Sequence, residues 1–152
     1  MESQLHRVLK QAVHVELKRE GFTLYVEPTV SPNRRLSWYS YRPDILGISS
    51  TKSLFKLTLV ECETHPNTIR ILNKTLKIQK TLFLQTRLFE QFFFLPLLAI
   101  PSLTLDKINQ VLIRRFWDIW IINKLGKITH KIPKKPRVKK IVTSTKTDGL
   151  MI

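Results

Sequence analysis

The chain has 152 residues, with 26 Lys and Arg against 11 Asp and Glu, a formal net charge of +15, and 43% hydrophobic and 24% charged residues. That length suits one domain able to bury a core without disulfides or a structural metal, and the composition excludes a disordered body. A single cysteine, Cys62, excludes an intrachain disulfide and any multi-cysteine zinc or iron-sulfur centre, and it points to an intracellular, cytoplasmic location.

Residues 4–20 are predicted to be helical, because Leu5, Val8, Leu9, Ala12, Val13 and Val15 recur at helical spacing and Gly21 is placed to end the run. Charged and apolar residues alternate here, so no signal peptide is expected. Glu16 falls near the middle of the apolar arc, where a carboxylate must be paired, protonated or bound to a cation. FTLYVEP (22–28) reads as a strand, SPNRR (31–35) as a turn, LSWYSYRPDILGI (36–48) as a second strand, SSTKS (49–53) as a turn and residues 55–63 as a third strand. Short turns between successive strands predict an antiparallel meander.

Residues 67–86 form the clearest helix. Arg70, Asn73, Lys74, Lys77, Lys80 and Thr81 fill one third of its circumference, and Ile69, Ile71, Leu72, Leu76, Ile78, Leu82 and Phe83 the other side. FFFLPLLAIP (92–101) is continuous in hydrophobicity, as a central strand covered on both faces would be, and is too short to cross a bilayer. A helix capped at Ser102 or Thr104 is expected to run to about Arg115, followed by a fifth strand, WDIWII (117–122). Residues 124–146 then hold nine Lys and Arg, no acid and two prolines, so the expectation is a domain at 1–123 and a mobile basic tail at 124–152.

The charge is uneven. Residues 1–63 carry 9 basic and 7 acidic groups, net +2, whereas residues 64–152 carry 17 and 4, net +13. Such a half-chain is suited to nucleic acid, and no strongly hydrophobic amphipathic helix accompanies the basic tail that would favour a membrane. Arg70, Lys74, Lys77 and Lys80 on the helix, and Lys134, Lys135, Arg137, Lys139 and Lys140 on the tail, are the expected phosphate contacts. Trp38, Trp117 and Trp120 could stack on bases, but in apolar strands they read rather as core residues or as contacts of a homodimer.

Three carboxylates stand against this basic background. Glu61 and Glu63 alternate along a strand and share its face with Leu57 and Leu59, leaving Cys62 on the other. A hairpin can bring Asp44 beside Glu61, and oxygens converging from adjacent strands suit a hard cation such as Mg²⁺. His65, two residues beyond Glu63, is a polar loop residue within reach of a metal or phosphate at such a site.

The order of a helix bearing a carboxylate, a strand, Pro43-Asp44 on a strand, Glu61-Cys62-Glu63 on the next, and a following helix resembles the PD-(D/E)XK nuclease superfamily, over about residues 4–122. The resemblance implies an α/β fold of restriction-endonuclease-like type, a mixed sheet flanked by helices. It implies Asp44, Glu61 and Glu16 as ligands of Mg²⁺ or Mn²⁺, Asp44, Glu61 and Glu63 as catalytic groups, and phosphodiester hydrolysis with DNA ahead of RNA as substrate. Glu63 stands where most members have Lys, and Lys80 or Lys77 from the following helix is the expected replacement. Gln79 and Phe83 are similar to the Gln-x-x-x-Tyr element of the RecB-like branch, and Glu27-Pro28 to an element of transposon-end endonucleases. The alternative reading is a catalytically inactive nucleic-acid-binding protein on the same fold.

Overall fold

The structure, a computed structural model, describes residues 2–27, 42–51, 54–84 and 92–135. Strands β1 (Thr23–Val26), β2 (Ile45–Thr51), β3 (Leu54–Cys62), β4 (Phe92–Pro101), β5 (Asp118–Ile122) and β6 (Ile128–Ile132) form one sheet in chain order. Pairing is antiparallel from β1 to β3, parallel from β3 through β5, and antiparallel again between β5 and β6. Each parallel step needs a crossover. Helix α2 (Thr68–Leu84) lies on the path of the first, and a 3-10 turn (Ser102–Lys107) with the short helix α3 (Gln110–Ile113) makes the second. The fold is therefore α/β, a mixed sheet flanked by helices, as the sequence implies.

Alternation along the strands sorts side chains into two cores. Helix α1 (Gln4–Arg19) lays Leu9, Val13 and Leu17 on Ile45, Val60, Cys62, Leu97, Ala99, Trp120 and Ile122. On the opposite face Ile71 and Ile78 of α2 meet Leu59, Leu98, Ile100, Ile119, Ile121 and the fully buried Trp117. The indole of Trp117 donates to Thr75 Oγ1 at 2.8 Å, and that hydroxyl in turn donates to Ile71 O, so the buried polar groups are paired. Among the described residues no helix is long and apolar enough to cross a membrane.

Several sequence expectations shift. The turn at 31–35 and Trp38 lie outside the described residues. β2 begins at Ile45, one residue after Asp44, and continues through Ser49, Ser50 and Thr51, which read as a turn; ladder pairing to Lys56, Phe55 and Leu54 outweighs their turn preference. The helix expected over 102–115 is broken, because Ile108 is extended and buried and Asn109 caps a new helix through Leu112 N. Residues 124–135, read as the start of a tail, carry the fold onward: Gly126 turns at φ 83° and β6 pairs with β5. Trp117 and Trp120 are 0% and 7% exposed, so β5 offers no exposed tryptophan strand for a homodimer. Arg137, Lys139 and Lys140 lie outside the described residues.

Two positions show how tightly the sheet is made. Pro96 sits in a central strand, where a missing N–H is costly. Leu95 O of the same peptide accepts from Thr58 Oγ1 on β3 at 2.7 Å, so the proline nitrogen faces the β5 side, and pairing with β5 starts only at Leu97. Gly47 is the second. A Cβ there would stand 2.7 Å from Thr58 Cγ2 and 2.9 Å from Leu24 Cδ2. Gly47→Ala is therefore expected to cost about 1–3 kcal/mol in urea denaturation. Thr58→Ser in the same chain should recover part of that loss, since it removes the nearer methyl and keeps the hydroxyl on Leu95 O.

Candidate active site

The C-terminal end of β3 delivers Glu61 and Glu63 to the α2 side of the sheet, where they are 3% and 6% exposed. Glutamates that deep need a counter-charge. It comes from Lys74, one turn and a half into α2, whose Nζ donates to Glu61 Oε1 at 2.7 Å and also to Glu63 Oε2. Arg70, one turn earlier, donates to Glu63 Oε1 at 2.9 Å and to His65 O at 2.7 Å. Burial works to lower the Lys74 pKa, but the Glu61 and Glu63 carboxylates overcome it and the ammonium ends above the ordinary lysine value.

Asp44 stands at the end of the β2 and β3 pair, between the two helical layers. Its backbone extends the ladder, since Asp44 N donates to Val60 O at 3.0 Å and Asp44 O accepts from Glu27 N at 2.7 Å. Its Oδ2 accepts from the backbone N–H of Cys62, the neighbour of Glu61, at 2.7 Å. Burial raises the Asp44 pKa, and the Cys62 amide, His6, Lys74 and Lys10 offset only part of that. The Cys62 thiol, turned into the α1 core, is pushed well up by burial and then by the Asp44 and Glu61 charges.

Three residues at the start of the chain that sequence reading missed complete the surroundings. His6 and Lys10 stand one turn apart on α1, and Glu2, just before the Ser3 cap, reaches both. His6 Nε2 lies 3.4 Å from Asp44 Oδ1, and its Nδ1 lies 2.6 Å from Glu2 Oε2. Lys10 bridges Glu2, at 2.7 Å, and Glu27. Hydrogen bonds from Lys10 and His6 lower the Glu2 pKa. Glu27 holds φ at 41°, in the left-handed region that only glycine enters freely. A local cost of this kind is commonly found beside functional sites.

Other expectations are redistributed. Glu16 lies ten residues beyond His6 on α1, about 15 Å along the helix, and does not join Asp44. It is paired with Arg19 and with Lys131 of β6, which lower its pKa to about 2. The lysine that meets the carboxylates is Lys74, while Lys77 and Lys80 are exposed further along α2. Ile69 and Leu76, expected to pack, are 72% and 64% exposed. Lys134 and Lys135 are exposed beyond β6. His65 is exposed, its ring within 3.1 Å of Thr64 Oγ1. Gln79 is exposed, and the Phe83 side chain is outside what is described.

Whether these residues suit a divalent metal turns on their donors. Among the described residues no three His, Cys, Asp or Glu side chains come together as a metal site. Mg²⁺ needs only one or two carboxylates, because water and phosphate oxygens complete its shell. Asp44 and Glu61 offer hard oxygens from the ends of neighbouring strands, the number of carboxylates that such a site would need.

Stability measurements separate structural from functional charge here. Lys74→Met strands two buried carboxylates and is expected to cost about 2–4 kcal/mol, the partly exposed ammonium keeping it near the lower end of the buried-pair range; Glu63→Gln in the same chain should recover part of it. Asp44 has the opposite sign. Its folded pKa lies above its unfolded one, so ionisation opposes folding above that value and the penalty fades as pH falls through it. Asp44→Asn, which can still accept from the Cys62 amide, is expected to leave the chain as stable or more stable at pH 7 by thermal unfolding. For Glu16 the depressed pKa contributes stability that is present above about 4.5 and lost as pH falls toward about 2. Lys131→Met should flatten that acid limb.

No family model matches the chain, and no curated protein matches it. The chain is similar to a solved FdxN element excision controlling factor protein from Anabaena variabilis, 14% identical over 83% of this chain and 98% of that one, with a TM-score of 0.47. It is similar also to a solved XisH family protein from Nostoc punctiforme, 14% identical over 82% of this chain and 98% of that one, again with a TM-score of 0.47.

Proposed function

We propose that the chain is a nuclease, hydrolysing phosphodiester bonds with Mg²⁺ or Mn²⁺, and acting on DNA ahead of RNA. The observation that carries the reading is that Asp44, bonded to the Cys62 amide, stands at the same end of the β2 and β3 pair as Glu61, whose carboxylate is paired with Lys74. Two carboxylates and a lysine are the groups that the PD-(D/E)XK resemblance calls for. The lysine comes from α2 at position 74, while the usual lysine position is occupied by Glu63. A lysine on the next helix thus compensates for the departure in the motif.

In this reading Asp44 and Glu61 hold the ion, which supplies polarisation of a phosphoryl oxygen and a lowered pKa for a bound water. Asp44 is oriented by the Cys62 amide, so its carboxylate needs no reorganisation when the substrate arrives. Lys74 stays charged at neutral pH and is aimed by Glu63, which lets it offset charge on the phosphate. Arg70, 53% exposed beside Glu63, can reach a neighbouring phosphate, and Lys77 and Lys80 extend the positive face along α2.

A specific observation favours a second reading, binding without cleavage. The Lys74 ammonium already bridges Glu61 and Glu63, the position a cation would otherwise take. Plasmid and labelled duplex incubated with Mg²⁺ or Mn²⁺ discriminate the two. Cleavage should require the ion, fall by roughly 100-fold or more in Asp44→Asn, and fall also in Lys74→Met. Salt-sensitive binding that never leads to cutting, with the ion present, would establish the binding protein instead.

A further inference from the structure

A second cationic surface lies away from the carboxylates. Residues 107–135 hold eight Lys and Arg against one acid, Asp118. The fold gathers part of this charge by bringing the chain beyond β6 back over α3. Arg114 Nε donates to Pro133 O at 3.1 Å, and Lys135 N donates to Arg114 O at 2.7 Å. Asp118, the acid at hand, is occupied at Oδ1 by the backbone N–H of Lys134 at 2.6 Å. Among the described residues, Arg114, Arg115, Lys134 and Lys135 form no ion pair with a carboxylate. That contrasts with Lys10, Lys74 and Lys131, each of which is held by two carboxylates.

Arg114 and Lys135 also line a cleft of about 460 Å³, together with Ile108, Asn109, Gln110 and Val111. Cations and amides on a shallow surface suit phosphate oxygens better than an apolar ligand. The cleft is joined to the candidate active site through one contact. Asn109 N donates to Thr68 Oγ1 at 3.0 Å, and Thr68 opens α2, two residues before Arg70. A line therefore runs from the cleft, past the start of α2, to Arg70 and Lys74.

We infer that this cleft is a second phosphate-binding surface, which receives the backbone of a nucleic-acid duplex beyond the segment held at Asp44 and Glu61. The inference rests on the nucleic-acid part of the proposed function and not on catalysis. Its occupant is set by charge: two cations without a carboxylate partner, in a cleft bonded to the start of the helix that carries Arg70 and Lys74, match a repeating polyanion, whose binding is driven by release of counterions.

The test is duplex binding by fluorescence anisotropy across a salt series in EDTA, which prevents cleavage. Lys135→Gln, Arg114→Gln and the double variant are compared with the wild type, with Lys124→Gln/Lys127→Gln in the β5 to β6 turn as the control. Each cleft substitution should weaken binding and lower the log-log salt slope by about one, while the control changes neither. Arg114 also braces Pro133, so if Arg114→Gln fails to fold, Lys135→Gln decides alone, because only its backbone has a fold contact. Wild-type affinity and slope in Lys135→Gln would overturn the inference while leaving the proposed function in place. No duplex binding by the wild type would remove both, and binding to anionic vesicles with no duplex binding would reassign the surface to a membrane.

Discussion

Two glutamates buried at the end of β3, with one lysine ammonium between them, are the constraint around which this end of the molecule is arranged. Removing two carboxylates from water is expensive, and exchanging the triad for apolar side chains of similar volume would often be neutral or stabilising. Stability alone therefore gives no reason for Glu61, Glu63 and Lys74 to be there. Asp44 points the same way. Its carboxyl is half-enclosed, its pKa is raised by burial, and the Cys62 amide and His6 beside it offset only part of that. Charged groups held at a cost at the ends of neighbouring strands are what a chemical site requires.

The fold explains why this cost is bearable. β2 and β3 pair over seven positions and β3 pairs in parallel with β4 over eight, so the strand carrying the glutamates is fixed from both sides. α2 is anchored by Ile71, Thr75 and Ile78, and the bond from the buried Trp117 to Thr75 ties it to the segment before β5. Lys74 directly precedes Thr75. Its stem thus leaves a rigid helix at a set point, and the ammonium reaches the carboxylates without a search.

Much of this was legible in the sequence. The alternation of Leu57, Leu59, Glu61 and Glu63 assigned one face of β3, and the unbroken apolar run at 92–101 announced a central strand. Lys74 was placed with the solvent-facing basic residues because a helical projection gives direction around the axis and says nothing of what stands opposite. Only the position of the end of β3 turns that direction inward. Glu2, His6 and Lys10 offer a signal that the sequence reading omits, charge at four-residue spacing across the N-terminus of α1. Glu16 needs a partner, as its place on the apolar arc implies, and has two: Arg19, one turn on, and Lys131, on a strand hidden within a lysine-rich stretch. β6 has too few apolar residues to announce itself. Its place is secured by pairing with β5 and by Lys131, which lies 4.5 Å from the centre of the Trp120 ring while bridging Glu16 and Glu20.

The central claim is that Asp44 and Glu61 share a divalent ion although Lys74 already neutralises the neighbouring carboxylate pair. Titration of Mn²⁺ into the protein, read by calorimetry or by the loss of free-ion paramagnetic signal, tests it without reference to turnover. The expected result is one ion per chain in the presence of a duplex, abolished by Asp44→Asn in a protein that remains folded. Uptake unchanged by Asp44→Asn, or no uptake at all with duplex bound, would contradict it.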